Sequence, residues 1–300
     1  MIERVGRDLK RLVGLALPGV CFGAILKRQR GWGPCCTVSF DCDFPRDIEA
    51  LSEVIHLLEA RNLRASFACI GRWIRAFPDE HREIVSAGME ILNHTETHPN
   101  LYHPGYDFAR GDDLARERFN EISSERRRSE IEACHQTCVE ILGYAPAGFR
   151  SPHFGNLHVD DVYPVLADLG YLYSSSALAH STDSGGLPFR HISGVLEFPL
   201  SPCPRHPFGV FDSWHSLGKR NGAHAEAGQM TQLFRQHAEL ILAKGGYANV
   251  YFDPRDMLNS GELVRFLDYL QDSGLEVVDY GTLASRALEE EGERGLRAAV

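Results

Sequence analysis

The chain keeps one rhythm for most of its length: short β-branched or aromatic runs alternate with stretches whose apolar residues recur at helical spacing. Nothing else in the sequence restricts the fold as much, because such alternation builds a largely parallel sheet with helices outside it. Residues 35–43 read as a buried strand, and 47–61 as a helix with Ile48, Leu51, Val54, Ile55, Leu57 and Leu58 along one stripe. Strands are expected at 65–70 and 89–93, with a helix at 77–87 that Gly88 stops. Ser123 can cap a helix running to Leu142, which Gly143 would end. Further strands fit 148–152, 171–175, 195–200, 247–252 and 275–280, and further helices 159–169, 228–244 and 261–273. A closed (β/α) barrel of about seven parallel strands accommodates this many units better than two domains do. In such folds the loops after strand C-termini build the site, so the irregular stretches 99–120, 176–194 and 201–227 are expected to wall it.

Charge divides the chain. Residues 1–33 hold seven Lys or Arg against two acids, a net of +5, so the remainder carries −15 of the overall −10. That acidity argues against a nucleic-acid partner, which requires a basic face. The uncharged run 12–26 is shorter than the roughly 20 residues of a membrane span and contains Pro18. We read residues 1–33 as an amphipathic lead-in packed on the domain or on a partner copy in a homo-oligomer. Peripheral contact with an anionic membrane surface is the alternative. Residues 34–285 form the barrel domain and 286–300 a charged tail. The eight cysteines include no Cys-x-x-Cys pair, and most lie in apolar runs, as in a reduced, cytoplasmic protein.

The chemistry falls at strand ends. Asp41 and Asp43 are one residue apart and share a face if the strand stays regular, although an Asp-x-Asp alone equally suits a turn cap. His94 and His98, four residues apart, can reach one ion, or can simply stand in a polar loop. Two imidazoles and one carboxylate make a three-ligand set with a position left open for water, as a catalytic metal requires. Arg150, after another strand, can pair with a carboxylate and orient it.

Together these segments resemble the polysaccharide deacetylase family over roughly residues 34–285. Asp41-x-Asp43 matches its acidic first motif, His94-Thr95-Glu96-Thr97-His98 its second, and Arg150-Ser151-Pro152 its third, in the same order. The resemblance implies a distorted (β/α) barrel and hydrolysis of a linear C–N amide, releasing acetate from an N-acetylated carbohydrate or lipid-linked glycan. It implies that Asp43, His94 and His98 bind a divalent metal, most simply Zn2+. Asp41 becomes the general base that takes a proton from water, with Arg150 orienting it. Pro152, His153, Phe154, Trp214 and His215 are expected at the substrate.

Two positions depart from the family. Asp253 stands where a His serves as general acid, and Ser174 stands where an acid pairs with the Arg. A carboxylate protonates an amine only if its pKa is raised, and nearby Arg255 could lower it instead. Asp212 could replace the missing acid and His215 the missing general acid. Two other readings follow: a hydrolase of a small non-sugar amide with the same metal chemistry, and a glycan-binding protein without turnover.

Overall fold

A computed structural model describes residues 13, 16–28, 32–100, 117–179, 182, 184, 186–205, 209–213 and 226–298. Among the described residues nine strands form one sheet: β1 (Cys35–Cys42), β2 (Ser66–Cys69), β3 (Glu90–Asn93), β4 (Gly148–Phe149), β5 (Tyr173–Ser174), β6 (Phe189–Arg190), β7 (Leu196–Glu197), β8 (Tyr247–Phe252) and β9 (Glu276–Val277). Their order is β6-β7-β5-β4-β3-β2-β1-β8, with β9 also on β1. Every pairing is parallel except β6 with β7. The sheet curls until the chain leaving β7 meets β8. There the Ser201 N–H donates to the Asn249 carbonyl at 2.9 Å, and the Asn249 N–H donates to Ser201 Oγ at 2.8 Å. The distorted (β/α) barrel is thus the architecture.

All eight residues of β1 are buried, as in a parallel strand covered on both faces. Parity sorts them. Cys36, Val38, Phe40 and Cys42 join the main apolar cluster under the helices. Ser39 and Asp41 face inward, toward Tyr280 and Arg150. The barrel interior is therefore polar toward its C-terminal end, and β1 alternates apolar outward with polar inward. Gly148 on β4 is fixed by close approach, since a Cβ there would lie 2.1 Å from the Tyr173 ring.

Twelve described α-helices cover the sheet: α1 (Pro18–Arg28), α2 (Pro45–Ile48), α3 (Leu51–Glu59), α4 (Gly71–Ala76), α5 (Pro78–Ser86), α6 (Ser124–Thr137), α7 (Phe154–Leu157), α8 (Val162–Asp168), α9 (Gln229–Lys244), α10 (Pro254–Asn259), α11 (Glu262–Ser273) and α12 (Tyr280–Ala298). Their buried stripes follow helical spacing, for example Leu263, Phe266, Leu267 and Leu270 on α11. The helix expected at 47–61 is divided at Glu49 and Ala50. Ser123 caps α6, accepting from the Arg126 N–H at 3.3 Å. The helix then widens into a π turn, Cys138–Leu142, that ends at left-handed Gly143. Within the lead-in, α1 buries Phe22 and Leu26, and the Phe22 ring meets His237 of α9 edge-on at 3.8 Å. The last helix runs through the boundary expected at 285. Among the described residues no helix is long and apolar enough to cross a membrane.

Candidate active site

The site occupies the layer just beyond the strand C-termini. His94, Arg150 and Ser175 each follow a strand and extend the sheet ladder by one rung. Their N–H groups donate to the carbonyls of Cys69, Asn93 and Phe149 at 3.1, 3.0 and 2.9 Å. Asp41 lies near the end of β1. Phe40 pairs with Phe252, so Asp253 emerges from β8 beside Asp41. Residues far apart in sequence thus share one rim because the register places them there.

Three ligand atoms converge on that rim. His94 Nε2 and His98 Nε2 are 3.1 Å apart, and each faces Asp43 Oδ1, at 3.3 and 3.4 Å respectively. Donors held 2.0–2.1 Å from one tetrahedral ion stand about 3.4 Å from one another, so the triangle has the size a metal needs. Among the described residues this is the single cluster of at least three His, Cys, Asp or Glu able to hold a metal ion. The His94 Nδ1–H donates to the Arg150 carbonyl at 2.8 Å, which aims Nε2 into the triangle. Asp43 Oδ1 and His98 Nδ1 are buried without a hydrogen-bond partner among the described residues. A cation would satisfy the first directly. Both imidazoles are 1% exposed and the Asp43 side chain 20%, so the open side of the triangle faces outward past the carboxylate.

Electrostatics agree with a ligand set. Burial pushes His98 down to about 3, against the pull of Asp43, so its ring stays neutral and able to coordinate. Burial also opposes charge on His94, but Asp43 and Asp41 outweigh it and raise its pKa. Burial likewise works against ionised Asp43, and His98 and His94 overcome it to hold the carboxyl well below the usual range.

The ligand loop is strained and braced. Thr95 and His98 adopt left-handed backbone, φ 67° and 52°, which is rare for a β-branched residue. Asn93 Oδ1 accepts the Thr95 N–H at 2.9 Å, and Thr95 Oγ accepts the His98 N–H at 3.1 Å. Glu130, buried on α6, accepts the Thr97 N–H and hydroxyl, each at 2.8 Å.

Arg150 is wholly buried and donates from Nη1 to Asp41 Oδ1 at 2.8 Å. Burial raises the Asp41 pKa, with Arg150 and His94 pulling it back in part. The other Arg150 donors go to the Ser175 carbonyl, Ser175 Oγ and Tyr280 Oη. Asp212 is not among these partners. Its backbone bridges to Tyr251 on β8, and the carboxylate that Arg150 meets is Asp41, unlike the expectation that Asp212 could stand in for the family's acid there. Ser175 and Tyr280 accept those donors instead, and Tyr280 lies outside the motifs that carry the resemblance.

Asp253 begins α10. It accepts from the Ser213 hydroxyl at 2.7 Å, and the Ser213 oxygen accepts the Asp253 N–H at 2.6 Å. Arg255 turns away, to the Arg46 carbonyl and Glu49, so it does not hold Asp253 ionised. Burial, reinforced by Asp47, Asp256 and Asp43, pushes Asp253 well above the carboxylate range. Pro152 is buried. His153, left-handed at φ 51°, lies near enough to Asp43 and His98 to bear on their charge. Phe154 packs edge-on against Tyr251 at 4.8 Å, in a small cluster with Leu178, Leu200 and Val210. Trp214 and His215 lie outside the described residues.

Residues 33–174 match the family model described as polysaccharide deacetylase. A peptidoglycan-N-acetylglucosamine deacetylase from Bacillus cereus is 25% identical over 116 residues, 39% of this chain and 36% of the relative. The chain therefore matches little more than a third of that protein's length. Among solved structures, a protein from Mycobacterium smegmatis assigned as a polysaccharide deacetylase superposes with a TM-score of 0.64. It is 17% identical, over 86% of this chain and 92% of the other. An allantoinase superposes with a TM-score of 0.62 at 12% identity, over 86% and 92%. The barrel, the ordered motifs and the matched region agree: residues 33–174 of this chain are similar to the polysaccharide deacetylase family.

Proposed function

We propose that the protein is a metal-dependent hydrolase of a linear C–N amide, acting as an N-deacetylase on a carbohydrate or lipid-linked glycan. The observation that carries this reading is the convergence of Asp43 Oδ1, His94 Nε2 and His98 Nε2 beside an Asp41 gripped by buried Arg150. A divalent cation bound there, Zn2+ by the chemistry of two imidazoles and a carboxylate, supplies Lewis acidity toward an amide carbonyl and acidifies water.

The protein's own groups handle the protons. Asp41, the general base, takes one from the water that attacks the carbonyl carbon, while Arg150 keeps its carboxylate aimed and offsets part of the burial that works against its charge. Asp253, still protonated because of its burial and acidic neighbours, gives its proton to the departing amine as the C–N bond breaks. The products are acetate and the free amine. The small cluster around Phe154 and Tyr251 supplies an apolar wall against which an acyl methyl can rest. A reducing compartment suits the chain, since seven of its eight cysteines are buried.

Acetate release from N-acetylated oligosaccharides tests the proposal. It should require added Zn2+, stop with a chelator and fall about 10²- to 10⁴-fold in Asp41→Asn. Turnover of small amides but of no sugar would move the activity to the non-sugar reading. Oligosaccharide binding without turnover would make the protein a glycan-binding relative.

A further inference from the structure

Arg150 presents a problem of charge. Its guanidinium is fully buried, yet among the described residues Asp41 is the one carboxylate it touches. A buried cation whose remaining donors were loosely held would swing and carry Asp41 with it. Those donors meet neutral oxygens instead: Nε–H donates to the Ser175 carbonyl at 2.9 Å, and Nη2 donates to Ser175 Oγ at 3.1 Å and Tyr280 Oη at 2.8 Å.

The direction of each bond around Tyr280 is settled by its neighbours. Asn249 Nδ2 lies 2.8 and 3.2 Å from the Phe198 and Pro199 carbonyls, which can only accept, so the amide nitrogen faces them. The amide oxygen must then face Tyr280, and its 2.6 Å contact with Oη requires the phenol to donate. The phenol's lone pairs are thereby committed to Arg150, with Ser175 Oγ at 3.2 Å as a further donor. Asn249 Nδ2 also donates to Ser175 Oγ at 3.0 Å, which closes the ring. A phenol that donates to an amide oxygen becomes a better acceptor, so polarisation runs from Asn249 through Tyr280 to Arg150.

We propose that Tyr280, with Asn249 behind it, is a positioning residue that aims the Arg150 guanidinium at Asp41, in place of a second carboxylate. Because these groups are neutral, the full positive charge of Arg150 stays available to Asp41. The kinetic part of this inference rests on the deacetylase reading. The structural part, a fixed Arg150, does not.

The test uses the full chain loaded with Zn2+, with Tyr280→Phe and Asn249→Ser singly and together. A hydrogen bond to a charged group supports a loss of about ten- to a hundredfold. Tyr280→Phe should therefore lower kcat by that factor, with KM and bound zinc within twofold of wild type. The double variant should fall no further than the worse single one. In parallel, the Arg150 15Nε–H signal in nitrogen-edited NMR should be resolved and slow to exchange in wild type, and should broaden or exchange rapidly in Tyr280→Phe. A kcat within twofold of wild type, losses that multiply in the double variant, or an unchanged Arg150 signal would each overturn the inference. If Tyr280→Phe folds poorly, Asn249→Ser is measured by the same two readouts, and the same results support or overturn the inference. If wild type releases no acetate from any substrate, the deacetylase reading fails and the NMR arm alone decides the role of Tyr280.

Discussion

A carboxylic acid surrounded by other acids and shielded from water keeps its proton, and Asp253 is in that position between Asp47, Asp256 and Asp43. The proposed mechanism uses it as the proton donor, so activity should decline as pH rises through its raised pKa. Asp253→Asn, which cannot donate as an acid, should cut kcat by about 10²- to 10⁴-fold, while Asp253→His should retain activity. Steady-state rates of acetate release across pH check both, and an Asn variant as active as wild type would remove Asp253 from the mechanism. Single residues were unevenly legible in the sequence. Asp41, Asp43, His94, His98 and Arg150 stand out because charged side chains at strand ends need a reason to be there. Ser175, Asn249 and Tyr280 carry no such flag. Each is a common residue in a strand or at a helix start, and their grouping depends on register and on a helix more than 100 residues downstream of Arg150.

At the scale of elements, the strands and long helices follow from alternating burial, and the Ser123 cap and Gly143 stop fall where the sequence places them. The π turn before Gly143 and the break at Glu49 and Ala50 leave no periodic trace, because both are local departures imposed by packing. The helix α6 does more than cover the sheet. Its Glu130 braces the left-handed loop that carries His94 and His98, the proposed metal ligands, through Thr97. Replacing it with Ala frees a loop that is already strained, and Zn2+ affinity should fall about 10- to 100-fold. Competition with a chromogenic chelator measures this directly, and unchanged affinity would show that the loop holds itself.

Across the whole molecule, stability should depend on pH through His237. Both ring nitrogens of this fully buried residue lack hydrogen-bond partners among the described residues, and burial pushes its pKa down to about 3. The unfolded chain takes up a proton near the ordinary value of about 6.5. Its contribution is therefore fully present above that pH and is lost as pH falls toward 3. At pH 5 the loss is about 2 kcal/mol, visible in denaturant unfolding. His237→Phe should flatten that part of the acid slope, and an equally steep profile would assign it to other groups.

The reach of Tyr280 has a practical consequence for anyone trimming this protein. A fragment ending near residue 174 would contain each signature residue by which the family is detected, from Asp41 to Arg150. It would nevertheless lack Ser175, Asn249, Asp253 and the opening residue of the final helix, so its arginine would be left without most of its anchors. Recognisable signatures and the full set of Arg150 anchors are thus encoded over different lengths, and expression boundaries should be drawn beyond Tyr280.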